Sequence, residues 1–244
     1  MEKYLAARRY HAHKRKRRRG HKMLKYDLHT HSIYSRDGAI KPADAIRIAK
    51  KRGLDGIAIT DHDTIRGGLE AKKLKPEGLD VIVGAEIKTD RGDVIGLFLN
   101  EEITAREHVE VIEAIHRQGG IAIVPHPFDS MRGTAFWLTD KDAKKMDAVE
   151  VINARCVFKR SNSMANHYAD DYRICKVGGS DAHFGAELAN AGTLVHEGED
   201  VATAIRKSHT MAFGRCSMPL FHVLTMALLV ERRVVKPKRP SWAE

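Results

Sequence analysis

Apolar and polar positions between residues 23 and 210 switch repeatedly between two periods. Short apolar runs bounded by Gly, Asp or Pro predict buried strands at Tyr26–His29, Gly56–Thr60, Ile121–Val124, Ala148–Ile152, Lys176–Gly179 and Gly192–Val195. Val81–Glu86 and Asp93–Leu99 are also strand-like and are joined by Thr89-Asp-Arg-Gly92, so they predict a hairpin. Between these runs the spacing becomes helical. Lys41-Pro42 opens a helix to about Arg52, with Pro in its first turn and Gly53 after its end. Gly67–Leu74 reads as a short helix, and Ile103–Gln118 as an amphipathic one stopped by Gly119-Gly120. Further helices are expected near 139–146, 157–171 and 200–208. Strands alternating with helices predict an α/β fold of βαβ units around a largely parallel sheet. About seven such units in roughly 200 residues fit a small barrel better than an open sheet.

The strand ends carry the chemistry. Five of them finish in metal-ligand side chains: Asp27-Leu-His29-Thr-His31, Thr60-Asp61-His62-Asp63, Gly84-Ala-Glu86, Val124-Pro-His126-Pro127 and Ser180-Asp181-Ala-His183. Parallel strands converge at their carboxyl ends, where barrels and open α/β sheets build active sites. Residues two apart on a strand share a side, so His29 and His31 can meet one ion, and Asp181 and His183 repeat that spacing. Glu86 follows an apolar run, where a carboxylate is costly to bury unless paired or coordinated, and its two oxygens could bridge two ions. His62 is the expected ligand of its segment, with one of Asp61 and Asp63 capping the following loop. His126 sits between two prolines that stiffen its position. His11 and His13 share the H-x-H spacing but follow no apolar strand, so no ligand role is assigned to them. His108 and His116, on the long amphipathic helix, read as solvated, and His167, His196, His209 and His222 have no neighbouring acid at ligand spacing, so none is assigned a role.

Composition changes this picture in one respect. The net charge of +10 suggests a nucleic-acid binder, yet residues 1–22 carry ten Lys/Arg against one acid and residues 231–244 five against two. The body, 23–230, is left at −2. Three segments are therefore expected: a basic tail (1–22), one domain (23–230) and a second basic tail (231–244). The first tail reads as solvated, or as upstream of a natural start at Met23. A near-neutral body argues against tight binding of long nucleic acid, which rests on many phosphate contacts. No eighteen-residue apolar run exists and no apolar segment follows the basic N-terminus, so neither a membrane span nor a signal peptide is expected. Three cysteines without C-x-x-C spacing fit a reduced, cytoplasmic setting.

D-L-H-T-H-S, I-T-D-H-D, G-A-E-I, P-H-P and G-G-S-D-A-H resemble, in order and spacing, the motifs of the PHP (polymerase and histidinol phosphatase) superfamily, over roughly residues 24–209. The resemblance implies a distorted (β/α)7 TIM-like barrel holding two or three divalent ions that hydrolyse phosphate esters. By the same resemblance, His29, His31, Glu86 and Asp181 would hold one ion. Glu86 would bridge to a second ion held by His126, and Asp37, His62 and His183 would hold a third. Glu86, Asp181 and His183 would be catalytic as well as ligating. One departure concerns Asp93, which stands where many relatives place a histidine. As a ligand it would make the second ion's coordination richer in oxygen and favour Mn, Fe(II) or Mg over Zn. As a turn residue after Gly92 it would have no such role.

Chemistry of this kind needs a nucleophile acidified between two cations and positive charge on the phosphoryl oxygens. Arg132, on the loop after His126, and Arg155, just past the strand Ala148–Ile152, are candidates to grip phosphate. Asn153 is a weaker polar candidate, and Phe128, Phe136 and Trp137 could line a pocket wall or stack on a base. The leading expectation is a metal-dependent phosphoesterase that uses a metal-bridged hydroxide on a small phosphomonoester, nucleotide or nucleoside bisphosphate. The alternatives are an exonuclease acting on RNA or DNA ends, and a non-catalytic barrel scaffold.

Overall fold

The computed structural model describes residues 22–234. The expectations for His11, His13, most of the N-terminal tail and residues 235–244 lie outside the described residues. Nine strands form one sheet: β1 (Met23–Asp27), β2 (Gly56–His62), β3 (Asp80–Lys88), β4 (Asp93–Leu97), β5 (Ile121–Val124), β6 (Ala148–Asn153), β7 (Cys175–Gly179), β8 (Ala191–His196) and β9 (Thr210–Gly214). Six helices accompany them among the described residues: α1 (Pro42–Lys51), α2 (Arg66–Lys73), α3 (His108–Arg117), α4 (Lys159–Tyr172), α5 (Val201–Arg206) and α6 (Leu220–Val234). No helix among the described residues is long and apolar enough to cross a membrane.

The spatial order is β7-β6-β5-β4-β3-β2-β1-β8-β9. β1, β2 and β3 run parallel, as do β5, β6 and β7, while β4 is antiparallel to both neighbours. The two ends of the sheet nearly close on each other. Thr210 Oγ1 donates to the Lys176 carbonyl (2.6 Å), and the Gly178 N–H donates to Thr193 Oγ1 (2.9 Å). The result is a nearly closed α/β barrel. Alternation along each strand sorts the core. Tyr26, Ala58, Ile82, Leu97, Ile123, Ala148 and Val177 form one cluster that α5 joins through Val201, Ala204 and Ile205. Residues of opposite parity (Val83, Ala85, Val94, Ala122, Val149) pack under α3 and α4 instead. Glu86 and Glu150 have the parity of Ile82 and Ala148, so they project into the barrel above its apolar layer.

The hairpin and the first two helices match the pattern-based expectation. Elsewhere the structure differs. The helix expected over 103–118 starts only at His108, because the Glu107 carboxylate accepts the Glu110 N–H and caps it there. Residues 139–146 form turns: Asp142 accepts from the Thr139 N–H and hydroxyl and binds Arg91 at 2.6 Å, which competes with helix formation. β8 is antiparallel to β1, so the sheet is mixed rather than parallel throughout. β9 and α6 lie in the stretch for which the sequence pattern assigned no element.

Candidate metal centre

The carboxyl ends of the strands bring the predicted ligands together. His62 and Glu86 are register partners on adjacent parallel strands, and a bridge between Thr30 and Ala182 sets the His29–His31 segment against Asp181–His183. Gly179 permits this approach: a Cβ there would lie 2.4 Å from His29 Cβ and 2.6 Å from Glu150 Oε1. His126 and Asp181 have positive φ (31° and 54°), a costly conformation that clusters at functional sites. The prolines beside His126 therefore do not leave it extended, although the residue before a proline ordinarily is.

Distances define three overlapping groups. His29 Nε2, His31 Nε2 and Asp181 Oδ1 lie 3.2–3.6 Å apart. Glu86 Oε1 is 2.8 Å from His126 Nε2, while Glu86 Oε2 lies 3.5 Å from His29 Nε2, 3.3 Å from His31 Nε2 and 3.1 Å from His62 Nδ1. Asp37 Oδ2 is 3.4 Å from both His62 Nε2 and His183 Nε2. Atoms sharing an ion at about 2.1 Å are separated by about 3.0–3.4 Å in octahedral or tetrahedral arrangements. The donor set fits divalent cations on that measure.

The hydrogen bonding points the same way. His29 Nδ1 faces Glu150 Oε1 (3.1 Å), His31 Nδ1 faces Ser35 Oγ (3.1 Å), and His183 Nδ1 faces the Asp181 carbonyl (2.8 Å). Each partner favours the Nδ1–H tautomer and leaves the Nε2 lone pair aimed into the cluster, the outer-shell pattern of metal-binding histidines. Among the described residues, the buried side-chain N and O atoms without a hydrogen bond are Asp37 Oδ1, Glu86 Oε2, His126 Nδ1 and Asp181 Oδ1. All four belong to predicted ligands. Buried polar atoms are otherwise almost always satisfied.

Charge in the cluster is tightly coupled. Burial lowers the pKa of His29, but Asp181, Glu150 and Glu86 outweigh it and hold the imidazole well above its usual range. His31 likewise rises to about 9 against its burial, through Asp181 and Glu86. Burial alone would raise Asp37, Glu86 and Asp181, yet the surrounding histidines, with Arg132 at Asp181, hold all three below the usual carboxylate range. His183 falls to about 4 through burial and the neighbouring His31.

The other expected site residues are placed differently. Asp93 is buried and lines the adjoining cavity, and its pKa rises to about 6 through burial and Glu86, but none of the distances above involves it. Arg132 Nη2 contacts Asp181 Oδ2 at 2.5 Å and Nε contacts Asp129 at 3.1 Å, with the side chain on the cavity wall. Arg155 also lines the cavity, but its Nη1 is held by both oxygens of Glu187 (3.1 and 3.0 Å) and its Nη2 by Thr225 (2.9 Å). Asn153 bridges Glu150 and Asp181. Asp61 is a loop anchor, accepting from the Ser32 N–H and from the Ser32 and Ser35 hydroxyls. His108 is largely covered and pairs with Asp90 and Glu107 at the surface rather than standing solvated.

Sequence reasoning missed Glu150, Ser35 and His222. Glu150 carries the same sign as Glu86, an acid inside an apolar strand (AVEVI), and could have been found by it. The cavity beside the cluster measures about 720 Å³, and α6 supplies part of its wall through His222, Thr225 and Met226.

Comparison with known proteins identifies the family and the fold. The PHP domain matches residues 27–210. An uncharacterised protein of Methanocaldococcus jannaschii is 44% identical over 144 residues, covering 54% of this chain and 82% of its own length. A 5'-3' exoribonuclease of Haemophilus influenzae is 33% identical over 129 residues, 46% of this chain and 45% of its own. Among solved structures, a two-domain protein of Bacteroides vulgatus containing a predicted PHP-like metal-dependent phosphoesterase superposes with a TM-score of 0.66 at 23% identity, over 81% of this chain and 66% of that one.

Proposed function

The chain belongs to the PHP domain family, and from that premise we propose that it is a divalent-metal-dependent phosphoesterase acting on a small phosphomonoester, nucleotide or nucleoside bisphosphate. The observation that carries this reading is the set of four unpartnered buried atoms, each on a predicted ligand. His29, His31, Glu86 and Asp181 would hold one cation, Glu86 and His126 a second, and Asp37, His62 and His183 a third. Such ions supply an acidified water and neutralise charge developing on phosphoryl oxygens.

The chain's own residues do the rest. Glu150, Ser35 and the Asp181 carbonyl fix the imidazole tautomers. Arg132 places a permanent cation between the cluster and the cavity, where its remaining donors can meet a phosphoryl oxygen. Arg155, committed to Glu187, acts on the site's framework rather than on substrate. A panel of nucleoside bisphosphates, AMP, histidinol phosphate and short RNA, run with Mn, Fe(II), Zn and Mg, tests the proposal. Metal-dependent turnover of a monoester is expected, and absence of turnover with every metal would overturn it.

A second reading, hydrolysis at RNA or DNA ends, has its own support. Beside the main cavity lies a pocket of about 440 Å³ lined by Phe128, Trp137, Phe158 and Arg160, with Trp137 and Phe158 about half exposed. Aromatic faces and arginine are what bases stack on. Preference for short RNA over AMP, lost in Trp137→Ala, would favour this reading. It also predicts a strong salt dependence of turnover.

A further inference from the structure

α6 lies beyond the residues matched by the family, yet it contacts the site's framework at both of its ends. Near its C-terminal end, one guanidinium gathers three backbone carbonyls of the loop after β1. Arg232 Nη1 donates to the Ser35 and Arg36 carbonyls (3.0 and 2.8 Å), and Nη2 donates to the Gly38 carbonyl (2.9 Å). The loop so clamped presents Asp37. Near the N-terminal end, the His222 ring N–H donates to the Arg155 carbonyl (2.9 Å) and Thr225 Oγ1 accepts from Arg155 Nη2 (2.9 Å). Arg155 in turn holds Glu187, whose Oε2 accepts the His183 and Phe184 N–H groups (both 3.1 Å). Phe221 stacks on Phe184 with ring centroids 6.2 Å apart.

These two chains of contacts reach different residues of the same group. One ends at Asp37 and the other at His183, and their carboxylate and imidazole meet at 3.4 Å. Three of the other predicted ligands are supported by the barrel: Glu150 holds both His29 and the His126 N–H, and Glu86 lies within β3. Asp37 is carried on a loop between β1 and α1, with no strand to fix it. A rigid fork over three carbonyls is an effective external support for such a loop, because guanidinium donors are planar and preorganised.

We propose that α6 is a brace for one cation position, that of Asp37, His62 and His183, and that Arg232 is its positioning residue; the inference rests on the phosphoesterase reading only in taking that trio as a cation position. The test compares wild type, Arg232→Met, Arg232→Lys, Thr225→Val and Asp37→Asn as full-length chains. Mn2+ titration counts the bound equivalents and their affinities, and amide exchange of the metal-free protein follows residues 35–38.

In Arg232→Met, one equivalent is expected to weaken by about 10–100-fold, the usual effect of losing an outer-shell support, while the others hold. Asp37→Asn should weaken the same single equivalent, and combining it with Arg232→Met in one chain should add little. Thr225→Val should affect that equivalent too, and Arg232→Lys should fall between, since one ammonium cannot span three carbonyls. Exchange at Gly38 should quicken in metal-free Arg232→Met.

Arg232→Met binding every equivalent within twofold of wild type, while Asp37→Asn loses one, would overturn the brace and leave the phosphoesterase reading standing. Parallel loss of all equivalents would also overturn it, by making α6 a general structural element. Should Arg232→Met not fold, Arg232→Lys decides on the same measure. Wild type binding no Mn2+ would remove the phosphoesterase reading and the brace together.

Discussion

Glu150→Gln is an isosteric change whose effect can be worked out from three contacts. Glu150 Oε1 faces His29 Nδ1 at 3.1 Å, while Oε2 accepts the His126 N–H (2.8 Å) and the Asn153 side-chain N–H (2.9 Å). A carboxamide has only one acceptor end. If its NH2 replaces Oε2, two donors face a donor, and leaving two buried N–H groups unpaired costs about 2–6 kcal/mol at about 1–3 each. If its NH2 replaces Oε1, only His29 is affected, and an imidazole that gives up its Nδ1 proton and keeps one on Nε2 removes the conflict. The second arrangement is cheaper. It puts a hydrogen on the nitrogen that faces His31, Glu86 and Asp181, where a cation needs a lone pair. Binding must reverse that choice, so affinity at this position should fall about 10–100-fold, or about 1.4–2.8 kcal/mol. Calorimetric titration with Zn2+ gives the affinity, and the 15N shifts of His29 give the tautomer with and without metal. Affinity within twofold of wild type, with His29 still protonated at Nδ1, would refute the reasoning.

His29→Ala and Glu86→Ala should each abolish metal-dependent hydrolysis of an aryl phosphate while circular dichroism stays native; full activity in either would remove the assigned site. Gly179→Ala places a methyl against His29 and Glu150, and should cost about 1–3 kcal/mol by overpacking as well as a cation equivalent; an unchanged melting temperature and stoichiometry would show that the strand yields. The pH dependence follows from His31, whose pKa rises from 6.5 to about 9 in the metal-free fold. That stabilisation is fully present below pH 6.5 and is lost as pH rises through about 9, on the order of 3 kcal/mol. With chelator, the melting temperature should therefore fall between pH 6.5 and 9. Metal affinity should rise over the same range, with protons released on binding that titration in two buffers can count.

The barrel was legible because burial and period coincide on its strands. IAIV, GIAIT and VIVGA are apolar on both sides, and both sides are covered, one by the barrel interior and the other by helices. Strand direction was less legible, since no residue in Gly192–Val195 states that β8 will run antiparallel to β1. The helix expected at 139–146 failed because Asp142 serves its near neighbour Thr139 and the distant Arg91 at once, and no local pattern announces the second partner. The ligands were legible because they sit at strand ends, where chain order predicts convergence. Their supports were not. Ser35 serves His31, the His62 N–H and Asp61 from a loop whose path no periodicity encodes.

α6 shows why a brace is harder to read than a strand. An amphipathic helix is normally placed by burying its apolar stripe. Here Leu220, Val223, Met226 and Val230 are each more than half exposed, whereas the side chains that hydrogen-bond to the rest of the protein include His222, Thr225 and Arg232. The hydrophobic pattern therefore gives the wrong face, and the composition of 210–230 suggests only an apolar segment. What marks the inner face is hydrogen-bonding capacity, since each of those three side chains meets a backbone carbonyl or a buried guanidinium. In such an element, polar substitutions on the inner face should disturb the site more than apolar-to-polar changes on the outer one. Val223→Ser and Val230→Ser should accordingly leave Mn2+ stoichiometry unchanged where Thr225→Val and Arg232→Met alter it. The reverse ranking would mean that α6 is held by its apolar stripe and that its polar contacts are incidental.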